Sequence, residues 1–242
     1  MSLARNHSQP SPWGVIASAA WVLLAFAVAG IATVMVYGVL FGEQTRPAVL
    51  NYDGVLLAVG AMVSIPAEVS VLATAARLRR WSAVDYLALT LPRRGEIIAA
   101  LIGVIALGLA FNVLLVLTGR DIVTPFQIEA YRTAKDAGWL AWLLLAIVVF
   151  APVGEEIAFR GFLFRGWARP GRELLAIGAI ALIWAGLHVQ YDWLGMAQIF
   201  VIGFVLGWFR WASGSTTLAI LMHALINLQA MIETAVKVEY LS

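Results

Sequence analysis

Apolar residues run in blocks along the whole chain, and the blocks have the length of membrane spans. Seven stretches, 14–41, 54–76, 95–118, 138–159, 172–190, 193–211 and 216–234, each come near the ~20 residues that a hydrocarbon core requires. The pattern predicts an all-α, polytopic transmembrane helical bundle of about seven spans. It divides into a polar N-terminal segment (1–12), N-terminal transmembrane helices (13–137), a second transmembrane part (138–234) and a C-terminal tail (235–242). The first apolar run, Trp13 to Phe41, is too long for a signal-peptide core and lacks a clean small-residue cleavage site, so it reads as a retained span. No internal repeat and no soluble second domain is visible. Of the connections, 77–94 mixes arginines with Trp81, Tyr86 and leucines, as a segment along the cytoplasmic interface does, although it reads first as a plain connector. The longest polar loop, 119–137, reads as a connector able to cover the opposite face.

Composition agrees with this picture. The chain is 62% hydrophobic and only 12% charged, where a soluble domain carries about a quarter charged residues. A net charge of +2 gives no reason to expect a nucleic-acid partner. The arginines serve better as topology signals. Arg5, Arg77, Arg79, Arg80, Arg93, Arg94, Arg160, Arg165, Arg169, Arg172 and Arg210 fall on one side of the alternating spans. The smaller group, Arg46, Arg120, Arg132, Lys135 and Lys237, falls on the other, which puts the N-terminus in the cytoplasm. The chain has no cysteine, which excludes disulfides, thiol catalysis and Cys-type zinc sites.

Against this background the ionisable residues inside the spans call for a reason. Each costs ~2.5–3.5 kcal/mol on insertion scales. The fourth span reads Pro152-Val-Gly-Glu155-Glu156-Ile-Ala-Phe-Arg160. Neighbouring residues on a helix point about 100° apart, so Glu155 and Glu156 face different surroundings. Glu156 and Arg160 stand four apart with the acid first, the favourable order for an ion pair. Glu155 is then left without a neutralising partner on its own helix, as suits a general acid or base. Pro152 removes a helical hydrogen bond and Gly154 thins the wall, so water or an extended peptide is expected to approach there. His188 closes the fifth span, and His223 and Asn227 share one face of the seventh, while His7 lies in the polar start. The positions midway between Glu155 and His188 are Gly171 and Arg172, beside a Pro170-Gly171 turn signal, so a hairpin there brings the two level. Glu68, two residues after Pro66 in the second span, reads as a water-facing group at a kink, and Gly203-xxx-Gly207 as a close-packing site.

The segment EEIAFRG resembles the EExxxR motif of the CPBP family, the CAAX prenyl proteases and bacteriocin-processing proteins also called Abi. Trp184-xxx-His188 is similar to the family's FxxxH, with tryptophan where phenylalanine is usual, and His223-xxx-Asn227 matches HxxxN. The resemblance covers about residues 138–230, with the motifs in the family's order. It implies an intramembrane endopeptidase in a multi-pass setting, expected in a bacterial inner membrane, acting on a peptide or protein substrate. By that resemblance Glu155 and His188 activate the attacking water, and His223 and Asn227 stabilise the oxyanion or bind metal. Glu156 and Arg160 hold the site together.

Two readings of the chemistry stay open. Glu155, His188 and His223 would make an open Zn2+ site with water in the fourth position. No HExxH arranges two ligands on one turn, and a glutamate-activated water with Asn227 and protonated His223 as oxyanion donors serves equally. Other classes compete as well. Intramembrane acids and histidines also build ion relays, although the paired broken helices and repeats of transporters are not seen. A scaffold or immunity protein would keep the same residues as polar glue between helices.

Overall fold

The computed structural model describes residues 10–42 and 53–241 of the chain. Arg5, His7 and Arg46 lie outside the described residues. Among those described, every regular element is a helix: α1 (Val15–Phe41), α2 (Gly54–Leu78), α3 (Ala83–Tyr86), α4 (Arg94–Leu117), α5 (Pro125–Asp136), α6 (Leu140–Trp167), α7 (Glu173–Gly186), α8 (Trp193–Ser213) and α9 (Thr216–Tyr240). Six of them, α1, α2, α4, α6, α8 and α9, are long and apolar enough to cross a membrane. The chain is an all-α, integral multi-pass membrane protein.

The expected fifth span is shorter than its apolar run. Helix α7 has 14 residues, about 21 Å at 1.5 Å per residue, and it ends at Gly186. His188 therefore lies in the turn beyond the helix. The residues expected to form a tail are helical instead, since α9 runs on to Tyr240.

Local chemistry fixes the helix ends. Asp53 caps α2 by accepting from the backbone N–H groups of Val55 and Leu56. Thr124 and Gln127 form a capping box in front of α5, with Pro125 at its first turn. Asp192 and Ser215 cap α8 and α9 in the same way. The reversal between α6 and α7 runs through Gly171, whose φ of +78° is the left-handed conformation that glycine adopts without strain.

Helix α6 is bent by its own winding. Two stretches, Ala146–Phe150 and Ile157–Leu163, are π-helical, and Pro152 stands between them. Such π-turns often mark functional positions within a helix.

The packing is uneven across the bundle. Helices α2, α6, α7, α8 and α9 enclose the core, while α1 and α4 present Ile16, Leu23, Val34, Ile102, Ile105 and Leu109 outward, as helices facing lipid do. Helices α7 and α8 pack very closely because Gly203 and Gly207 leave room. A Cβ on Gly203 would stand 2.8 Å from Trp184, and one on Gly207 2.9 Å from Ile177.

The two ends differ. Part of the 77–94 connection folds inward: Tyr86, Leu87 and Ala88 are buried, while Arg80, Val84 and Leu91 are exposed. The reason is a set of side chain–backbone bonds. Arg165 donates to the Tyr86 and Asp85 carbonyls, and the Thr216 hydroxyl donates to Leu87 O at 2.6 Å. At the other end, residues 119–137 supply α5, which packs on α2 and α9. Lys135 and Tyr131 tie it to Glu239.

Candidate active site

The bend in α6 delivers the two adjacent acids to different partners, as their 100° separation requires. Glu156 is fully buried. Its Oε1 accepts from Arg160 Nη1 at 2.9 Å and faces His223 Nδ1 at 2.9 Å. The second arm of Arg160, Nη2, donates to Gly203 O at 3.0 Å, so one guanidinium joins α6 to α8. The i, i+4 pair read from the sequence is therefore the hub of a three-helix knot. Because the carboxylate accepts at Nδ1, the His223 ring is held with Nε2 turned elsewhere.

Glu155 is half-buried and not free. Its Oε2 accepts from the Trp184 indole Nε1 at 2.6 Å. From its place in the chain Trp184 has no role beyond filling the aromatic position of a motif, yet this side chain organises the site. It is 3% exposed. Its ring centroid lies 4.9 Å from His188 and 5.3 Å from His223, both edge-on, and Arg160 sits 4.6 Å over its face. Of the expected residues, Glu155, Arg160, His188 and His223 thus meet around one indole, Glu156 joins them through Arg160 and His223, and Asn227 stands apart. Glu155 and His188 each contact Trp184 across the α6–α7 hairpin.

His188 caps the end of α7. Its Nδ1 lies 2.8 Å from Trp184 O. A carbonyl oxygen can only accept, so Nδ1 carries the proton and a neutral ring presents Nε2 as a base. This bond takes the carbonyl that a longer helix would have used. Asn227 points back to α6, donating from Nδ2 to Ile147 O at 2.8 Å.

A cavity of about 660 Å³ opens between α4, α8, α9 and the 119–127 segment. Trp184, His188, His223 and Asn227 line it, together with Tyr191 and Gln198. Glu155, Glu156 and Arg160 are not on its wall and stand behind Trp184. The approach does not lie at Pro152 and Gly154, where the sequence put it. A Cβ on Gly154 would stand 2.1 Å from Ile65, so this glycine serves a tight contact with α2. Tyr191, in the turn before α8, reports that Glu155 is near: burial and then the Glu155 charge push its phenol up to about 12. It faces the cavity as a protonated donor. The side-chain Nε2 of Gln198 is buried without a partner among the described residues.

Two further observations correct or limit the sequence reading. Glu68 is 4% exposed, not water-facing; its Oε1 has no partner among the described residues, and it feels the charge of Glu155 from α2. Among the described residues, no group of three His, Asp or Glu side chains is arranged to hold a metal ion. Glu155, His188 and His223 surround Trp184 and do not converge on one point, so this arrangement does not fit the zinc set.

Residues 137–229 match a family model described as type II CAAX prenyl endopeptidase Rce1-like. A 24.3 kDa Escherichia coli protein, described as uncharacterized, is 28% identical over 102 residues. The alignment covers 41% of this chain and 46% of that relative, about half its length. No solved structure matches.

Proposed function

The match over residues 137–229 supports membership of the CPBP family, and on that premise we propose that the chain is an endopeptidase that hydrolyses a peptide bond at membrane depth with a water activated by Glu155 and His188. The observation that carries this reading is the convergence on Trp184. An acid from α6 and two imidazoles, from the α7–α8 turn and from α9, touch the same buried side chain.

In the proposed reaction the substrate lies in the cavity, the Trp184 indole moves off Glu155, and a water then sits between Glu155 and His188 Nε2. The water oxygen attacks the carbonyl carbon while its proton passes to Glu155. The oxyanion that forms accepts from the Nε2–H of His223 in its protonated form, whose Nδ1–H stays on Glu156, and from the Asn227 amide hydrogen not used by Ile147. When the tetrahedral intermediate collapses, the C–N bond breaks and Glu155 returns its proton to the leaving amine. A general base of this kind contributes on the order of 10²–10⁴-fold. Glu156 orients His223, much as a buried carboxylate orients a catalytic imidazole, and Arg160 holds Glu156 in place through its Nη1 bond. Tyr191 and Gln198 offer donors for the substrate backbone.

No step in this route needs a metal, so treatment with a zinc chelator should leave turnover unchanged. The proposed setting is a bacterial plasma membrane with the arginine-rich end cytoplasmic. Comparing peptide termini in membranes from cells that make the wild type or Glu155→Gln tests the activity. The account expects a set of termini present only with the wild type, and identical sets would sink it.

A further inference from the structure

The bond from Asn227 to Ile147 has an explanation in the winding of α6. In the stretch Ala146–Phe150 the backbone bonds five residues back, and the Ala151 N–H donates to Ala146 O. The next bond in that register would run from residue 152 to Ile147 O. Residue 152 is proline and has no N–H. Asn227 Nδ2, from α9, donates to that same carbonyl at 2.8 Å. One side chain on a neighbouring helix thus supplies the backbone bond that the proline deletes.

We propose that Asn227 is a positioning residue: it satisfies Ile147 in place of Pro152, keeps α6 in its π-wound form, and so sets where Glu155 and Glu156 stand. An orphaned carbonyl among apolar side chains is costly where no water reaches it. Without Asn227, the segment relieves that cost by rewinding to ordinary α-helix, which removes the extra residue of the π-turn. Everything after the bend then turns by about 100°. That rotation takes Glu155 off Trp184 and Glu156 off His223. The effect on turnover rests on the endopeptidase reading, whereas the effect on the helix does not.

The two roles of Asn227 separate through Pro152. Pro152→Ala restores the missing N–H, so it compensates for Asn227→Ala if the lost function is support of the bend. It cannot compensate if Asn227 only donates to an oxyanion. The readout is the indole N–H signal of Trp184 in ¹⁵N-tryptophan-labelled protein in detergent, assigned by its loss in Trp184→Phe. The expected result is that Asn227→Ala shifts this signal and that Asn227→Ala/Pro152→Ala returns it to the wild-type position. In parallel, Asn227→Ala lowers Glu155-dependent cleavage on the order of 100-fold, as expected for misplaced catalytic groups, and the double variant regains at least ~10-fold of it. A Trp184 signal unmoved by Asn227→Ala, or moved and not restored by Pro152→Ala, overturns the proposal. If the single variant cannot be recovered folded, recovery of the double variant supports the proposal and failure of both overturns it. If the wild type cleaves nothing, the endopeptidase reading falls, and the indole signal still decides this one.

Discussion

The two ends of the bundle are built from different materials. At the arginine-rich end, the segment around Tyr86–Ala88 is drawn into the bundle by Arg165 and Thr216, and Arg210 donates to both Arg160 O and Thr216 Oγ1. Leu87 is 1% exposed. At the other end, a cavity reaches from the 119–127 segment down to His223. Its mouth is crossed by Arg120 and Asp192, an ion pair whose members remain exposed. The sealed end fixes α6 and α9 in register, and the open end leaves His188 and His223 on the wall of a cavity, where the proposed reaction needs water and a peptide to reach them. A hydrolytic site inside a bilayer requires both, because backbone polar groups away from water must be satisfied by protein.

Substitutions along this axis sharpen the contrast. The largest loss is expected at the knot between the two ends. Arg160→Met leaves Glu156 buried without its cation and should cost about 3–5 kcal/mol, the range for breaking a buried pair. Denaturant or thermal unfolding in detergent measures it, and an unchanged midpoint would remove the knot from the account. At the sealed end, Arg210→Met gives up the bonds to Arg160 O and Thr216 and should cost about 1–3 kcal/mol by the same assay.

Because the chain has no native cysteine, accessibility can be read directly. Ile226→Cys, on the cavity wall, should react readily with a water-soluble thiol reagent, while Leu87→Cys should resist it in the folded protein. Equal reaction at both positions breaks the comparison. The smallest effect is expected at the mouth. Arg120→Ala releases an exposed pair, which ordinarily contributes little, and leaves the Asp192 cap in place, so stability should scarcely change while labelling of Ile226→Cys becomes faster.

Much of this arrangement was legible in the sequence. The order of the acids gave the Glu156–Arg160 pair, and the turn at Pro170-Gly171 brought Glu155 level with the following helix. Apolar length gave six of the spans. What failed depended on contacts that span length cannot show. The end of α7 is set by His188 turning back on Trp184 O, and so an apolar run of span length yields a helix of 14 residues. Gly154 suggested an opening, yet its missing side chain is filled by Ile65. The role of Trp184 follows from an indole N–H reaching a carboxylate 29 positions away, which spacing along the chain does not reveal. The shared face of His223 and Asn227 was correct as geometry, but the two side chains serve different partners on α6.

The central claim is that Glu155 takes the proton of the attacking water. Its most direct test is the kcat of purified Glu155→Gln against the wild type on a peptide drawn from the wild-type-specific termini, with the unfolding midpoint of both proteins measured alongside. A loss on the order of 10²–10⁴-fold at an unchanged midpoint is the result predicted. Undiminished turnover by a folded Glu155→Gln protein would contradict it.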